Sequence, residues 1–378
     1  MATESVQVDP GVADEGVVRR AADLLKRGRL IVFPTETVYG LAASAASVEG
    51  LGRLRELKGR TGDGGKPFTV HVGSSDQADR LVGDLPALAR RLARRAWPGP
   101  LTLVVSVDDP QTTAFGAMIP EDNLPAVYHD GTVGLRCPDL RFTQSLLERI
   151  EEPIVASSVN RPGGRPAMDA EETLAAAAAW NGAIDLVVDA GPTRFRQPST
   201  VARVTGDRLE VLRAGVLDER SVRRLATTTV LLVCSGNTCR SPMASVILSV
   251  LLARREGCRP EDLPDRGFRI VSAGTAAGDG APASAEAVTV AAERGGDLSR
   301  HRSTRLSAER IGQADYIWTM CASHARRVTQ IDPSAADRTE RLDPQQDIED
   351  PMGSPVAAYR RCADQIAGAL APRLKELV

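Results

Sequence analysis

The chain has 378 residues, 42% hydrophobic and 25% charged, which at roughly 150 residues per domain means two domains with substantial cores. Lys and Arg total 47 against 49 Asp and Glu, a net charge of -2, so the global basic excess of a nucleic-acid coat or polybasic membrane binder is excluded and any RNA contact must be local. No apolar run approaches the roughly 20 residues of a membrane span. Met1–Pro10 carry Glu4 and Asp9 and no apolar core, so a cytoplasmic protein without a membrane partner is expected. Six cysteines, at 137, 234, 239, 258, 321 and 362, form no CxxC pair and meet only four histidines; neither a disulfide framework nor a bound structural metal is expected.

In chain order, Asp14–Lys26 carries the helical period and stops at Gly28, and Leu30–Phe33 reads as a strand broken by Pro34. Further strands are predicted at Phe68–Val72, Leu101–Val107, Gly134–Cys137, Ile154–Ser157, Leu186–Asp189, Thr200–Val204 and Leu209–Leu212, with Gly206-Asp207 as a hairpin turn and Glu171–Trp180 as a helix. A charged helical piece, Leu217–Leu225, followed by three threonines, forms a linker over 217–228 between a first domain, 14–216, and a second, 229–378. From Val230 the order is strand, glycine turn, helix (Pro242–Arg255), strand (Arg269–Ser272), helix (Ala283–Arg294), strand (Tyr316–Met320), helix, and a final helix (Val356–Leu377). That order predicts an α/β fold with a doubly wound parallel sheet.

In the second domain, Cys234-Ser-Gly-Asn-Thr-Cys-Arg240-Ser-Pro joins an apolar strand to a helix with Pro242 in its first turn. Such a turn converges backbone N–H groups and a helix start on one point, an anion cradle. A cysteine there is favoured as the thiolate, the nucleophilic form, and Arg240 returns to hold two phosphoryl oxygens bidentately. Cys-x5-Arg alone also fits a buried cysteine beside a surface arginine. Its context resembles the low-molecular-weight protein phosphatase family through Val233–Ala244, Ser272–Gly274, His301–Ser303, Ala314–Met320, and Asp350-Pro351 with Tyr359. The resemblance implies that Cys234 attacks phosphorus, Arg240 binds the transferring group and Asp350 protonates the leaving atom. It implies a phosphate loop of Ser235, Gly236, Asn237, Thr238, Cys239 and Ser241, with Asn237 shaping it and Ser241 hydrogen-bonded to the thiolate. Tyrosine phosphatases of the family usually carry isoleucine where Thr238 stands, and the arginine phosphatases threonine; Met352 departs from an aromatic often found after Asp-Pro. Cys239 is a candidate for a reversible protective disulfide. The arsenate reductases that share the fold need two further redox cysteines, and Cys321 has no nearby companion.

In the first domain, Gly59–Lys66 is not a P-loop: Arg60 stands where the first glycine is needed, and Pro67 fills the Ser/Thr position. Composition alone gives a sheet with polar loops suited to phosphate and carboxylate. The sequence resembles the YrdC-like threonylcarbamoyl-AMP synthase family through Phe33–Leu41, Leu57–Arg60, Lys66–Val72, Trp97–Thr102, Thr132–Pro138, Ala156–Asn160, Pro198–Val201 and Leu212–Gly215. The resemblance implies a twisted mixed sheet and formation of threonylcarbamoyl-AMP from L-threonine, bicarbonate and ATP, with Mg2+ accompanying ATP, for tRNA modification. It assigns Lys58, Arg60, Thr132, Ser158, Asn160 and Arg213 to ATP, and Thr35, His71, Arg136 and Ser199 to threonine. Without the motifs, Thr35 would be a turn residue, His71 a half-buried strand histidine and Arg136 half of an ion pair. The glycine-rich stretch after Arg60 and Arg161-Pro-Gly-Gly164 depart from the family pattern.

The expectation is a bifunctional enzyme whose phosphatase half acts on phosphoarginine or phosphotyrosine in proteins and needs no cofactor. One rival, a carbamoyl-transferase carrying a YrdC-like unit, would bring CxxC pairs that are absent here. Another is a YrdC-like RNA-binding module tethering an active phosphatase to tRNA or ribosomes.

Overall fold

A computed structural model of the chain describes residues 3–61 and 66–377. Residues 62–65, within the glycine-rich stretch that departs from the synthase pattern, lie outside the described residues. The chain divides into two units between Ala226 and Thr227.

The strands of the first unit are β1 (Glu4–Gln7), β2 (Ile31–Phe33), β3 (Gly40–Ser44), β4 (Thr69–His71), β5 (Leu101–Ser106), β6 (Tyr128–His129), β7 (Thr132–Arg136), β8 (Ile154–Ser158), β9 (Leu186–Asp189), β10 (Thr200–Thr205) and β11 (Arg208–Arg213). They form one mixed sheet in the order β1-β9-β2-β3-β8-β4-β7-β5-β10-β11, with β6 paired to β7. Its central strands are buried on both faces, as period two dictates when helices cover each side. Ile31, Phe33, Ala42, Ile154 and Leu186 face a core formed with Val18, Ala22, Leu25 and Phe142. Their neighbours Val32, Leu41, Val155 and Val187 face the opposite core. The helix Glu15–Lys26 buries Val18, Ala21, Ala22 and Leu25, one helical stripe, and is capped by Asp14, whose Oδ1 accepts from the amides of Gly16 (2.9 Å) and Val17 (3.1 Å).

Three strands of this sheet escaped the sequence: β1, β3 and the two-residue β6. The run Gly40-Leu-Ala-Ala-Ser44 has little β-branched character, yet all five residues are buried between β2 and β8; pairing on both sides overrides local propensity. β1 is short and mostly exposed, and pairs in parallel with β9. The piece expected within a linker is helical from Glu219 to Ala226 and belongs to the first unit. Val222 is fully buried in the first unit's core, and Arg91 and Arg95 donate to the carbonyls of Ala226 (2.8 Å) and Leu225 (2.7 Å), satisfying the helix end. A charged amphipathic helix has one apolar face, and here that face is used.

The second unit is a four-stranded parallel sheet of β12 (Thr228–Cys234), β13 (Phe268–Gly274), β14 (Tyr316–Thr319) and β15 (Thr339–Arg341) in the order β13-β12-β14-β15. Val230 and Leu232 pack with Met243, Leu248, Val290 and Ile366 on one face. Leu231 and Val233 pack with Ile311, Ile317 and Val328 on the other. This is the doubly wound arrangement the sequence predicts, apart from the three-residue edge strand β15, which it did not show, and β12 ends at its switch point, where such sheets bind ligands. Among the described residues, no helix is long and apolar enough to cross a membrane.

The clusters that fill the two units are separate, so chains 1–226 and 227–378 produced independently are expected to unfold cooperatively, each with one transition by circular dichroism. A fragment that lacks a cooperative transition would show that its core needs the other half.

Candidate functional site

Two sites stand at strand ends, one in each unit. In the second unit, Cys234 is the last residue of β12 and is buried. Its Sγ accepts from the Asn237 amide (3.2 Å) and lies 3.0 Å from Ser241 Oγ. Asn237 is fully buried with φ of 55°, a left-handed conformation that Asn tolerates better than most residues. Its Nδ2 donates to Ser241 Oγ and Ser272 Oγ (both 2.9 Å), its Oδ1 accepts from the Thr304 amide (2.8 Å), and its carbonyl oxygen lies 2.8 Å from His301 Nε2. The loop is therefore bolted from three sides. Gly274 admits it: a Cβ there would lie 2.4 Å from Ser235 O and 2.9 Å from the Asn237 amide.

The helix Arg240–Glu256 begins with no side-chain cap. Among the described residues, the amides of Gly236, Thr238 and Cys239 meet no protein acceptor, which leaves donors for an oxyanion. Arg240, 6% exposed, donates to Ile348 O (3.3 Å) and Ser235 Oγ (3.4 Å) and forms an ion pair with Asp350, whose carboxylate is half exposed. Thr238 O accepts from the Ser284 amide (3.0 Å), and Cys239 Sγ lies near Tyr359 OH (3.4 Å) and Ser284 Oγ (3.5 Å). All six cysteines are free thiols. Met352, beyond Asp350-Pro351, is 74% exposed. The structure thus brings together every residue assigned to the phosphate loop, with Asp350 joined to it through Arg240.

In the first unit the assigned residues fall into two groups. Lys58, 6% exposed, donates to the carbonyls of Ser158 (3.0 Å) and Asn160 (2.6 Å) and to Asn160 Oδ1 (3.2 Å), which also accepts from Ser158 Oγ (2.6 Å). Burial first, and the Arg60 charge second, push Lys58 down to about 8. Arg60 stacks over Phe68 at 4.5 Å, donates to Lys66 O (3.0 Å), and is likewise pushed down by burial.

The second group centres on Arg136, at the end of β7. Its Nη2 donates to Thr37 Oγ1 (2.5 Å) and Glu36 Oε1 (2.9 Å) and reaches Thr35 Oγ1 (3.5 Å). Its Nε is buried with no acceptor among the described residues. His71 on β4 and Thr102 on β5 flank Arg136 in register. His71 Nδ1 donates to Thr69 O (3.2 Å), and burial, reinforced by Arg136, lowers it to about 3, so the ring is neutral. Ser199 Oγ lies 2.9 Å from Thr102 Oγ1, and Arg213 donates to Ser199 O (2.8 Å). The loop between β2 and β3 joins the groups, since Thr35 and Thr37 touch Arg136 while Tyr39 O accepts from the Val159 amide (3.0 Å) between Ser158 and Asn160.

Arg213, assigned to the nucleotide, is placed with Ser199 of the threonine set. Thr132 joins neither group: it lies at the opposite end of β7 from Arg136, and its hydroxyl donates to His129 O (2.8 Å). Glu36 was not assigned from sequence, because a carboxylate between two threonines reads as turn polarity. It is buried, and its second oxygen accepts from the Asp139 amide (3.0 Å). His324, also missed, touches Ser235.

The Sua5/YciO/YrdC family, described as Telomere recombination, matches residues 23–215. The low molecular weight phosphotyrosine protein phosphatase family matches residues 229–378. The chain belongs to both families, one in each unit. It is 35% identical to the threonylcarbamoyl-AMP synthase of Pyrococcus abyssi over 214 residues, 56% of this chain and 58% of that protein. It thus spans a little over half the length of that synthase. It is 36% identical to a protein-arginine-phosphatase of Geobacillus stearothermophilus over 142 residues, 36% of this chain and 87% of that protein. A solved structure of a P. abyssi Sua5 variant shares the fold, with a TM-score of 0.50 and 24% identity over 71% of this chain and 90% of its own.

Two outcomes follow from the geometry. Gly274→Ala should destabilise the second unit by about 1–3 kcal/mol by overpacking against backbone and weaken its binding of inorganic phosphate; denaturant melts and calorimetry check both. Because a lowered ammonium is charged below its pKa and neutral above it, binding of inorganic triphosphate at Lys58, followed by calorimetry, should weaken as pH rises through about 8, and Lys58→Arg should flatten that fall. A wild-type profile flat from pH 7 to 9.5 would show that Lys58 does not carry that anion binding.

Proposed function

We propose that the chain is a bifunctional enzyme. The first unit makes threonylcarbamoyl-AMP from L-threonine, bicarbonate and ATP; the second hydrolyses phosphorylated side chains of proteins through a cysteinyl-phosphate. The observation that carries the first half is a buried cation at each of two adjoining groups, Lys58 and Arg136, the latter with its Nε still offering a proton. Arg136 suits the threonine carboxylate and the hydroxyls around it the ammonium side, while Lys58 and Arg60 suit a triphosphate. Threonine nitrogen and bicarbonate condense to a carbamate with loss of water. The carbamate oxygen then attacks the α-phosphorus of ATP and pyrophosphate leaves. Positioning and charge neutralisation do most of this work.

Mg2+ would travel on the triphosphate, neutralising the leaving pyrophosphate. The donor set fits that role: no group of three His, Cys, Asp or Glu side chains is gathered among the described residues, and this cation is usually held by substrate phosphates, water and one or two carboxylates. The product's use in tRNA adenosine modification belongs to the same proposal.

In the second unit the Cys234 thiolate attacks phosphorus while the loop amides and Arg240 hold the three non-bridging oxygens. Arg240 pairs with Asp350, so a phosphoryl group that takes the guanidinium bidentately releases the carboxyl. Asp350 can then carry the proton that the leaving nitrogen or oxygen needs, and afterwards take one from the water that cleaves the thiophosphate bond. Thr238 at the loop supports phosphoarginine over phosphotyrosine.

With threonine, bicarbonate, ATP and Mg2+, the chain is expected to release pyrophosphate, and Lys58→Ala to lose at least about a hundredfold in rate, the scale of removing a charge-stabilising group. Absence of pyrophosphate in the wild type would favour the RNA-tether reading instead. Phosphoarginine should exceed phosphotyrosine in kcat/KM, Cys234→Ser should abolish both, and Thr238→Ile should move the ratio toward tyrosine by about 1–3 kcal/mol. Equal or better hydrolysis of phosphotyrosine by the wild type would refute the specificity.

A further inference from the structure

We infer that the Ser235 hydroxyl donates a hydrogen bond to the tetrahedral oxyanion held in the cradle, and that His324 is the positioning residue that turns it there. This rests on reading the loop after β12 as a phosphoryl site.

Among the described residues, Ser235 Oγ has two polar side-chain neighbours. Arg240 Nη2 lies at 3.4 Å and can only donate. His324 Nε2 lies at 2.9 Å and donates or accepts according to its tautomer. If Nε2 carries the proton, both lone pairs of the hydroxyl are taken and its own hydrogen must point away from Arg240 and His324. The other side of His324 supports that tautomer. Its Nδ1 lies 3.2 Å from Cys321 Sγ, which in turn lies 3.0 Å from Ser323 Oγ. A hydroxyl donating to sulfur and a thiol donating to Nδ1 make a chain that runs one way: Ser323 to Cys321 to His324 to Ser235, ending in a free O–H.

The same four groups can run in reverse, with Ser235 donating to Nε2 and a lone pair facing the cradle. An oxyanion in the cradle selects the forward direction, because a lone pair set against it is repelled. The choice exists because the ring is neutral. His324 is 4% exposed; burial first and Arg240 second lower it to about 4, against opposing pulls from Asp347 and Asp350. The fold supplies the alignment, since Cys321 stands at the N-cap position of the helix Ala322–Ile331 and His324 is three residues on, on the same face.

The test is calorimetric titration of the full chain with inorganic phosphate. Ser235→Ala should weaken binding about tenfold, the scale of one hydrogen bond to a charged group. His324→Gln, whose amide nitrogen reaches about as far as Nε2, should stay within about threefold, whereas His324→Asn, which reaches only the Nδ1 side, should lose about tenfold. The Ser235→Ala/His324→Asn double variant should bind no more weakly than either single variant. A merely packed histidine would show similar losses for Asn and Gln and multiplied losses in the double variant, and either result overturns the inference. Should the His324 variants fail to fold, Ser235→Ala decides alone: unchanged phosphate affinity overturns it. If the predicted affinities hold while the wild type hydrolyses no phosphorylated substrate, the hydrolase reading fails and the inference about the anion site stands. If the wild type hydrolyses substrate and Ser235→Ala binds phosphate normally, the inference alone fails.

Discussion

Lys58, Arg136 and Arg240 are each about one-twentieth exposed, and a cation withdrawn that far from water costs several kcal/mol unless it is paired or richly hydrogen-bonded. Each is held by acceptors the fold can spare: carbonyls of Ser158 and Asn160 for Lys58, the Thr37 hydroxyl and Glu36 carboxylate for Arg136, the Ile348 carbonyl and Asp350 for Arg240. These partners occupy directions that an anionic ligand would otherwise fill. All three cations lie at or just beyond the ends of buried elements.

The two units solve the same problem with different geometry. In the parallel sheet, a sharp turn after β12 and a helix start provide amides aimed at one point, and a single buried asparagine keeps the turn open. In the mixed sheet, side chains from adjacent strands, His71, Arg136 and Thr102, stand side by side in register. A tetrahedral phosphoryl group suits the first arrangement, and an elongated ligand with a carboxylate at one end and phosphates at the other suits the second.

Much of this was legible in sequence because turn chemistry is local. Cys234 through Pro242 specifies strand, cradle and helix within nine residues, and the alternation of Val230–Val233 with its helices gives the parallel sheet. Long-range pairing was not legible. β3, rich in glycine and alanine, is a strand because β2 and β8 flank it. Residues 217–228 read as a linker because the apolar face of Glu219–Ala226 is narrow, and only its packing shows where that face goes. Glu36 and His324 lacked a local signal strong enough to separate them from turn polarity and an ordinary helix-face histidine, although the Cys321 to His324 spacing placed two chemically active groups on one face.

A crystal structure of the full chain with threonine, a non-hydrolysable ATP analogue and tungstate tests the central claim most directly. The threonine carboxylate is expected at Arg136, the polyphosphate at Lys58 and Arg60, and the tungstate on the amides of Gly236, Thr238 and Cys239 with Arg240 turned from Asp350 toward it. Ligands bound elsewhere, with all three cations still on their protein acceptors, would contradict it.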